Sequence, residues 1–232
     1  MTRTCLYMLS VISIFCMISV CESSCPVLND TTLQGHVDSY IADPSTYASC
    51  NISSWDVSDV TNFDDLFHNK ADFNGNISSW NTSSVTTMQR TFRNAHLFNG
   101  DLSNWITSKV TNLEDTFAIA KAFNGNLSTW DTSKVTTMEQ TFHRAAAFNG
   151  DVSTWVTSNV TSLSSTFRQS AFNGDLSNWD TSKVASLAGT FNQAPFNGDL
   201  SNWDTSRVTN LEFTFYIATA FDGNISTWNT SS

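Results

Sequence analysis

All eight tryptophans of this chain stand on one comb: Trp55, Trp80, Trp105, Trp130, Trp155, Trp179, Trp203 and Trp228, spaced 25, 25, 25, 25, 24, 24 and 25 residues apart. Self-similarity at a fixed period of this size marks a repeat architecture. It covers nearly everything from Asn51 to Ser232, and one stretch, FNGDLSNWDTS, occurs letter for letter at Phe172–Ser182 and again at Phe196–Ser206. No single copy is large enough to hide its own apolar residues, so the copies must stack and bury them against one another.

Counting each copy from its tryptophan exposes further columns. Three residues before it stand Ile52, Ile77, Leu102, Leu127, Val152, Leu176, Leu200 and Ile225. At +5 there is Val, from Val60 to Val208; at +8 Phe63, Met88, Leu113, Met138, Leu163, Leu187 or Leu211; at +12 Phe, from Phe67 to Phe215. A second Phe opens each FNG or FDG motif, from Phe73 to Phe221, and the two 24-residue copies are one residue short between these Phe columns, which places a loop there.

The columns at +5, +8 and +12, extended to +15 by Ala95, Ala120, Ala145, Ala194 and Ala218, predict one face of a short helix. Thr111–Glu114, Thr136–Glu139 and Thr209–Glu212 read as capping boxes at its start. Asn-Gly reads as a turn, and the apolar, Ser-containing run after it as a short strand. Leu and Trp three apart would face opposite sides of a flat strand, so a corner is expected between them. The expected fold is an α/β repeat solenoid, leucine-rich-repeat-like, with a short parallel strand plus a short helix per 24–25-residue rung and seven to eight rungs over 51–232.

Residues 22–50 read as an N-terminal cap with a helix at about 31–42, because Leu33, Val37, Tyr40 and Ile41 have helical spacing and Pro44 follows. The chain stops at Ser232, just past Trp228, so a C-terminal cap is expected to be missing. That leaves the last rung open and implies a fragment or end-to-end self-association.

The first 21 residues, MTRTCLYMLSVISIFCMISVC, read as a secretory signal peptide: Arg3 precedes an apolar run, and Ser19 and Cys21 are small residues at −3 and −1 of a cut. An uncleaved signal anchor is the alternative, although Leu6 to Val20 is short for a hydrocarbon core of roughly 30 Å; that is the one route to a membrane. Cleavage leaves Cys25 and Cys50, most simply one disulfide in an oxidising compartment, with two buried free thiols as the alternative. Candidate N-glycosylation acceptors are Asn29, Asn51, Asn76, Asn81, Asn126, Asn159, Asn224 and Asn229.

Function classes narrow by charge and chemistry. With 11 basic and 21 acidic residues, a net charge of −10 and no basic cluster, the chain is not expected to bind nucleic acid. His36, His68, His96 and His143 form no catalytic or metal-binding spacing, so no catalytic residue, cofactor or metal is expected. The Asx column Asn76, Asp101, Asn126, Asp151, Asp175, Asp199 and Asn224 suits turn capping better than calcium. Thr82, Thr107, Thr132, Thr157, Thr181, Thr205 and Thr230, each followed by Ser, form a hydroxyl ladder that would serve an ice-binding face or cap the turn before the helix. Partner specificity is expected in the columns that vary between rungs, +10 and the loop between the Phe columns.

The Trp, Val and paired Phe columns, with FN and WDTS, resemble the roughly 25-residue repeat of BspA-like leucine-rich repeat surface proteins, a family also described as a domain of unknown function. The resemblance covers about Asn51–Ser232; FNG stands where that family often has FNQ, and Ile106 and Val156 replace the Asp after Trp. It implies display outside the cell, with adhesion in some members, and no chemistry. The expectation is an exported, non-enzymatic scaffold, secreted or at the cell surface, that binds an extracellular protein or glycan. The alternatives are a structural surface-coat protein and an ice-binding protein.

Overall fold

The computed structural model describes residues 25–230. The signal-peptide segment and its three cysteines lie outside the described residues. No helix among those described is long and apolar enough to cross a membrane.

Among the described residues there is one α-helix, α1 (Leu33–Ala42). Its start is organised by Asn29, whose Oδ1 accepts from the backbone N–H groups of Thr31 at 2.9 Å and Thr32 at 3.2 Å. Leu33 and Val37 form its buried face, while Tyr40 and His36 lie over the indole of Trp55, with ring centroids 5.7 and 6.1 Å away. A disulfide joins Cys25 to Cys50 (S–S 2.06 Å), closing the segment that holds α1 against the first repeat.

From Asn51 onward the chain winds in stacked coils, one per repeat. Indole lies over indole, as between Trp80 and Trp105 (6.5 Å, 3°) and between Trp130 and Trp155 (6.3 Å, 4°). The two Phe columns stack as well, Phe92 on Phe117 at 5.4 Å and Phe98 on Phe123 at 5.9 Å, all inside the separation favoured for aromatic pairs. Within a coil the two Phe rings are closer still, 4.0 Å for Phe117 and Phe123. Seven tryptophans are 2–3% exposed and Trp228 8%. Each indole N–H is satisfied: Trp130 donates to Leu102 O at 3.2 Å and Trp155 to Leu127 O at 3.0 Å, in both cases a carbonyl of the preceding coil. The corner that buries both Leu and Trp is a hydrogen-bonded turn, for example Trp105 N–H to Leu102 O at 3.0 Å.

The α/β, leucine-rich-repeat-like expectation is overturned. No helix forms at +5 to +15 in any described coil, and no extended strand pairs into a sheet. Parallel pairing is reduced to isolated bridges, one between Val27 and Asp56 and the rest at +7, running Asn62, Thr87, Asn112, Thr137, Ser162, Ser186, Asn210. The reason lies in the backbone donors. In an α-helix the +12 N–H would bond the +8 carbonyl of its own coil; instead Phe67 donates to Thr91 O at 2.8 Å, and Phe63, Asp65 and Asn69 donate to Thr87, Gln89 and Arg93 of the next coil. The amides between them close local turns, Leu66 to Phe63 O and His68 to Asp65 O. Every second amide thus serves the stack and every other one a turn.

That alternation requires left-handed backbone at two sites per coil. The +10 residue has positive φ in every complete coil (Asp65, Arg90, Asp115, Gln140, Ser165, Gly189, Phe213), and so does the +14 residue (Asn69, Asn94, Ile119, Arg144, Gln169, Gln193, Ile217). The expected capping boxes are absent for the same reason. Thr111 Oγ1 donates to Thr86 O at 3.2 Å, and the Glu114 N–H is met by Asn112 Oδ1 at 2.8 Å.

Candidate functional site

The recurring apolar columns point inward, while positions +9, +10, +13 and +14, where the coils differ, line an outer face. At its N-terminal end this face is charged. Arg90 and Asp65, consecutive +10 residues, make a bidentate pair at 2.7 and 2.8 Å, with His68 3.0 Å from Asp65. The hydrogen-bonded guanidinium holds the Asp65 carboxyl below the usual carboxylate range.

The middle of the face is a tighter polar cluster. Asp115, 4% exposed, meets Arg93 Nη1 at 3.1 Å; its Oδ1 and the Arg93 Nε are buried without partners. Burial pushes the Asp115 carboxyl up despite the pull of Arg93. His143 is pushed down to about 4, first by burial and then by Arg168, Arg144 and Arg93, so it is neutral at pH 7.

Beyond it the face opens into a notch of about 400 Å³ over the sixth coil. Other coils carry bulkier pairs at +9 and +10, such as Gln89–Arg90 or Glu139–Gln140; here stand Ala188 and Gly189. Arg168 of the fifth coil and Glu212, Phe213 and Tyr216 of the seventh wall the notch, with Asn192 beside Gly189. Asn192 is 5% exposed, and neither its Oδ1 nor the Arg168 Nε has a hydrogen-bond partner.

The residues singled out from sequence fall as follows. The eight tryptophans come together in one core. Asn29, Asn51, Asn76, Asn81, Asn126, Asn224 and Asn229 are exposed; Asn159 is half-buried, its Nδ2 donating to Ser133 O at 2.8 Å. The Asx column caps turns, as where Asp151 Oδ1 accepts the Ser153 N–H at 2.9 Å. The +2 threonines are buried from Thr82 to Thr205, and their hydroxyls are turned to the next coil, Thr132 donating to Val156 O at 3.0 Å, rather than to solvent. The histidines stay apart: His36 pairs with the Tyr47 hydroxyl at 2.7 Å and His68 with Asp65. Among the described residues no group of three or more His, Cys, Asp or Glu is placed to hold a metal.

Three features escaped sequence reasoning. The +11 threonines are buried, five of them completely; Thr141 Oγ1 is shared between Leu113 O at 3.0 Å and Met138 O at 2.8 Å. Their signal was Thr recurring beside Phe in six coils. The left-handed columns were marked by Gly189, Asn69 and Asn94, residue types that tolerate positive φ. The notch was marked by two small residues in succession where other coils are bulky.

These features define a tandem-repeat protein of stacked 24–25-residue coils with a varied outer face. The chain belongs to the family described as Mycoplasma protein of unknown function, DUF285, whose family model matches residues 38–155 and 147–232. No curated protein matches the chain, and no solved structure matches it.

Proposed function

We propose that this chain is an exported, non-enzymatic recognition scaffold of the BspA-like kind, acting at a cell surface on an extracellular protein or glycan. The observation that carries this reading is the division of labour within each coil. Recurring apolar residues are spent on the stack, while positions +9, +10, +13 and +14, where the coils differ, line an outer face, which is how repeat arrays recognise macromolecules. The Cys25–Cys50 disulfide is consistent with an oxidising compartment. The test is a screen of the purified chain against extracellular proteins and glycans; a selective ligand is expected, and its absence across the screen sinks the reading.

A structural surface-coat protein is the second reading, favoured by Phe213 and Ile217, which are 56% and 55% exposed on the seventh coil. Self-assembly at rising concentration without a selective ligand, read by light scattering, would support it.

A further inference from the structure

We infer that the notch over Gly189 binds one neutral pyranose unit of a glycan. This rests on the recognition role proposed above and names its ligand class. The site is built rather than incidental. Asn192 is 5% exposed, its Oδ1 is buried and lacks a donor, and the Arg168 Nε lacks an acceptor. The notch is thus walled by polar side chains whose hydrogen-bonding capacity the stack does not use up, beside the exposed Glu212 carboxylate. A sugar hydroxyl both donates and accepts. Hydroxyls donate to the exposed Glu212 carboxylate, while another hydroxyl or the ring oxygen accepts from the Arg168 guanidinium.

The apolar side of the notch fits the same ligand. Phe213 and Tyr216 are 56% and 52% exposed and meet edge to face at 5.4 Å and 76°. Two rings at that angle offer a corner to the C–H face of a pyranose. The volume of about 400 Å³ lies in the range of small-ligand sites, roughly 300–1,000 Å³. Charge suits the neutral form, because the lining balances one cation, Arg168, against one anion, Glu212, and so offers an ionic ligand no net attraction. Gly189 is what opens the space: its φ of +65° suits Gly, and a Cβ there would come within 3.0 Å of Ser165 Oγ.

The experiment is saturation-transfer NMR and titration calorimetry on the purified full chain. The neutral probes are the methyl glycosides of glucose, mannose and galactose together with N-acetylglucosamine; glucuronate is the acidic probe and leucine the zwitterionic one. At least one neutral probe is expected to bind, perturbing Tyr216 resonances. Gly189→Gln, which places in the notch the residue found at Gln140 in the same column, is expected to abolish that binding. Glu212→Gln and Tyr216→Ala alter exposed side chains and are each expected to weaken it about tenfold without changing the melting temperature, which keeps the test intact if Gly189→Gln unfolds. The assignment is overturned if no neutral probe binds, if glucuronate or leucine binds more tightly than every neutral probe, or if binding survives these variants. A glycan or protein captured equally by the wild type and by Glu212→Gln and Tyr216→Ala sinks the notch but leaves the recognition role standing; a screen without any selective ligand sinks the role itself.

Discussion

Asp30 stands where a carbonyl of a preceding coil would stand for Thr61. Its Oδ1 accepts the Thr61 N–H at 2.7 Å and its Oδ2 the Thr61 hydroxyl at 2.6 Å. One coil later Thr86 sends the same two groups, at 2.8 and 3.1 Å, to the backbone oxygen of Thr61. Trp55 is treated likewise, its indole donating to Cys50 O at 3.3 Å where later tryptophans use the coil before them. The first coil therefore has its unpaired edge covered by residues ahead of the repeats, the usual need of an edge that would otherwise pair with another chain.

Acid should loosen this end. Burial opposes ionisation of Asp30, but hydrogen bonds from the Thr61 hydroxyl and from the Thr61 and Asn62 amides outweigh it and hold the carboxyl below 3.8. A folded value below the unfolded one means the stabilisation is present above pH 3.8 and is lost as pH falls through the folded value. Asp131, Asp180 and Asp204 shift the same way, through the hydroxyl and N–H of the serine two residues on. Asp30→Asn is expected to cost about 0.5–1 kcal/mol at neutral pH, a figure discounted for the exposure of Asp30. Urea denaturation of both proteins from neutral pH to acid should show the difference shrinking toward low pH; a difference that grows would refute the assignment.

The buried hydroxyl of Thr141 bridges two coils. Thr141→Val keeps the shape and removes the bridging hydroxyl, while Leu113 O and Met138 O keep donors in the Thr116 and Thr166 hydroxyls; it is expected to cost about 0.5–1.5 kcal/mol, and Thr141→Ser is expected to retain more of the stability. Equilibrium denaturation of the pair distinguishes hydroxyl from methyl. Leu66 occupies this column in the first coil, where no earlier coil offers a carbonyl to bond.

Trp130 lies between Trp105 and Trp155, at 6.5 and 6.3 Å, and against Phe117 at 5.9 Å. Trp130→Ala is expected to cost about 3–5 kcal/mol through the lost contacts and the cavity left behind. Trp130→Phe should cost less, since a ring stays in the column and the losses are the donation to Leu102 O and the volume the smaller ring leaves unfilled. Chemical denaturation followed by the remaining indole fluorescence checks both.

Ile217 is a β-branched residue held at φ 56° with its side chain 55% exposed. Left-handed backbone costs a β-branched residue roughly 1–2 kcal/mol, and little burial is lost by replacing it. Ile217→Asn, the residue found at Asn69 and Asn94 in the same column, is expected to raise stability by about 1 kcal/mol. A calorimetric melting temperature that falls would show the strain argument to be wrong.

Much of the interior was legible from spacing. Columns of Trp, Val, Phe and Leu that recur at one period have to be stacked, because identical surfaces with nothing else to cover them cover one another, and residues such as Trp105, Val110 and Phe117 are buried accordingly. The outer notch was written in Ala188 and Gly189, but nothing in the sequence said that Arg168, Asn192 and Tyr216, on three successive coils, stand around them. Those residues are 24 apart in each step and meet only because the coils are in register.

By itself the sequence determined the period, the register and the identity of the core, since these depend on which residues repeat and not on how the backbone joins them. Only the tertiary structure decided the backbone between the core columns. Apolar residues at +5, +8, +12 and +15 suit either a helix or a chain of turns, and the choice depends on where each amide finds its acceptor. Phe67 finds it at Thr91 of the next coil rather than four residues back. An oxygen that exists only once the neighbouring coil is in place cannot be read from the residues beside the donor.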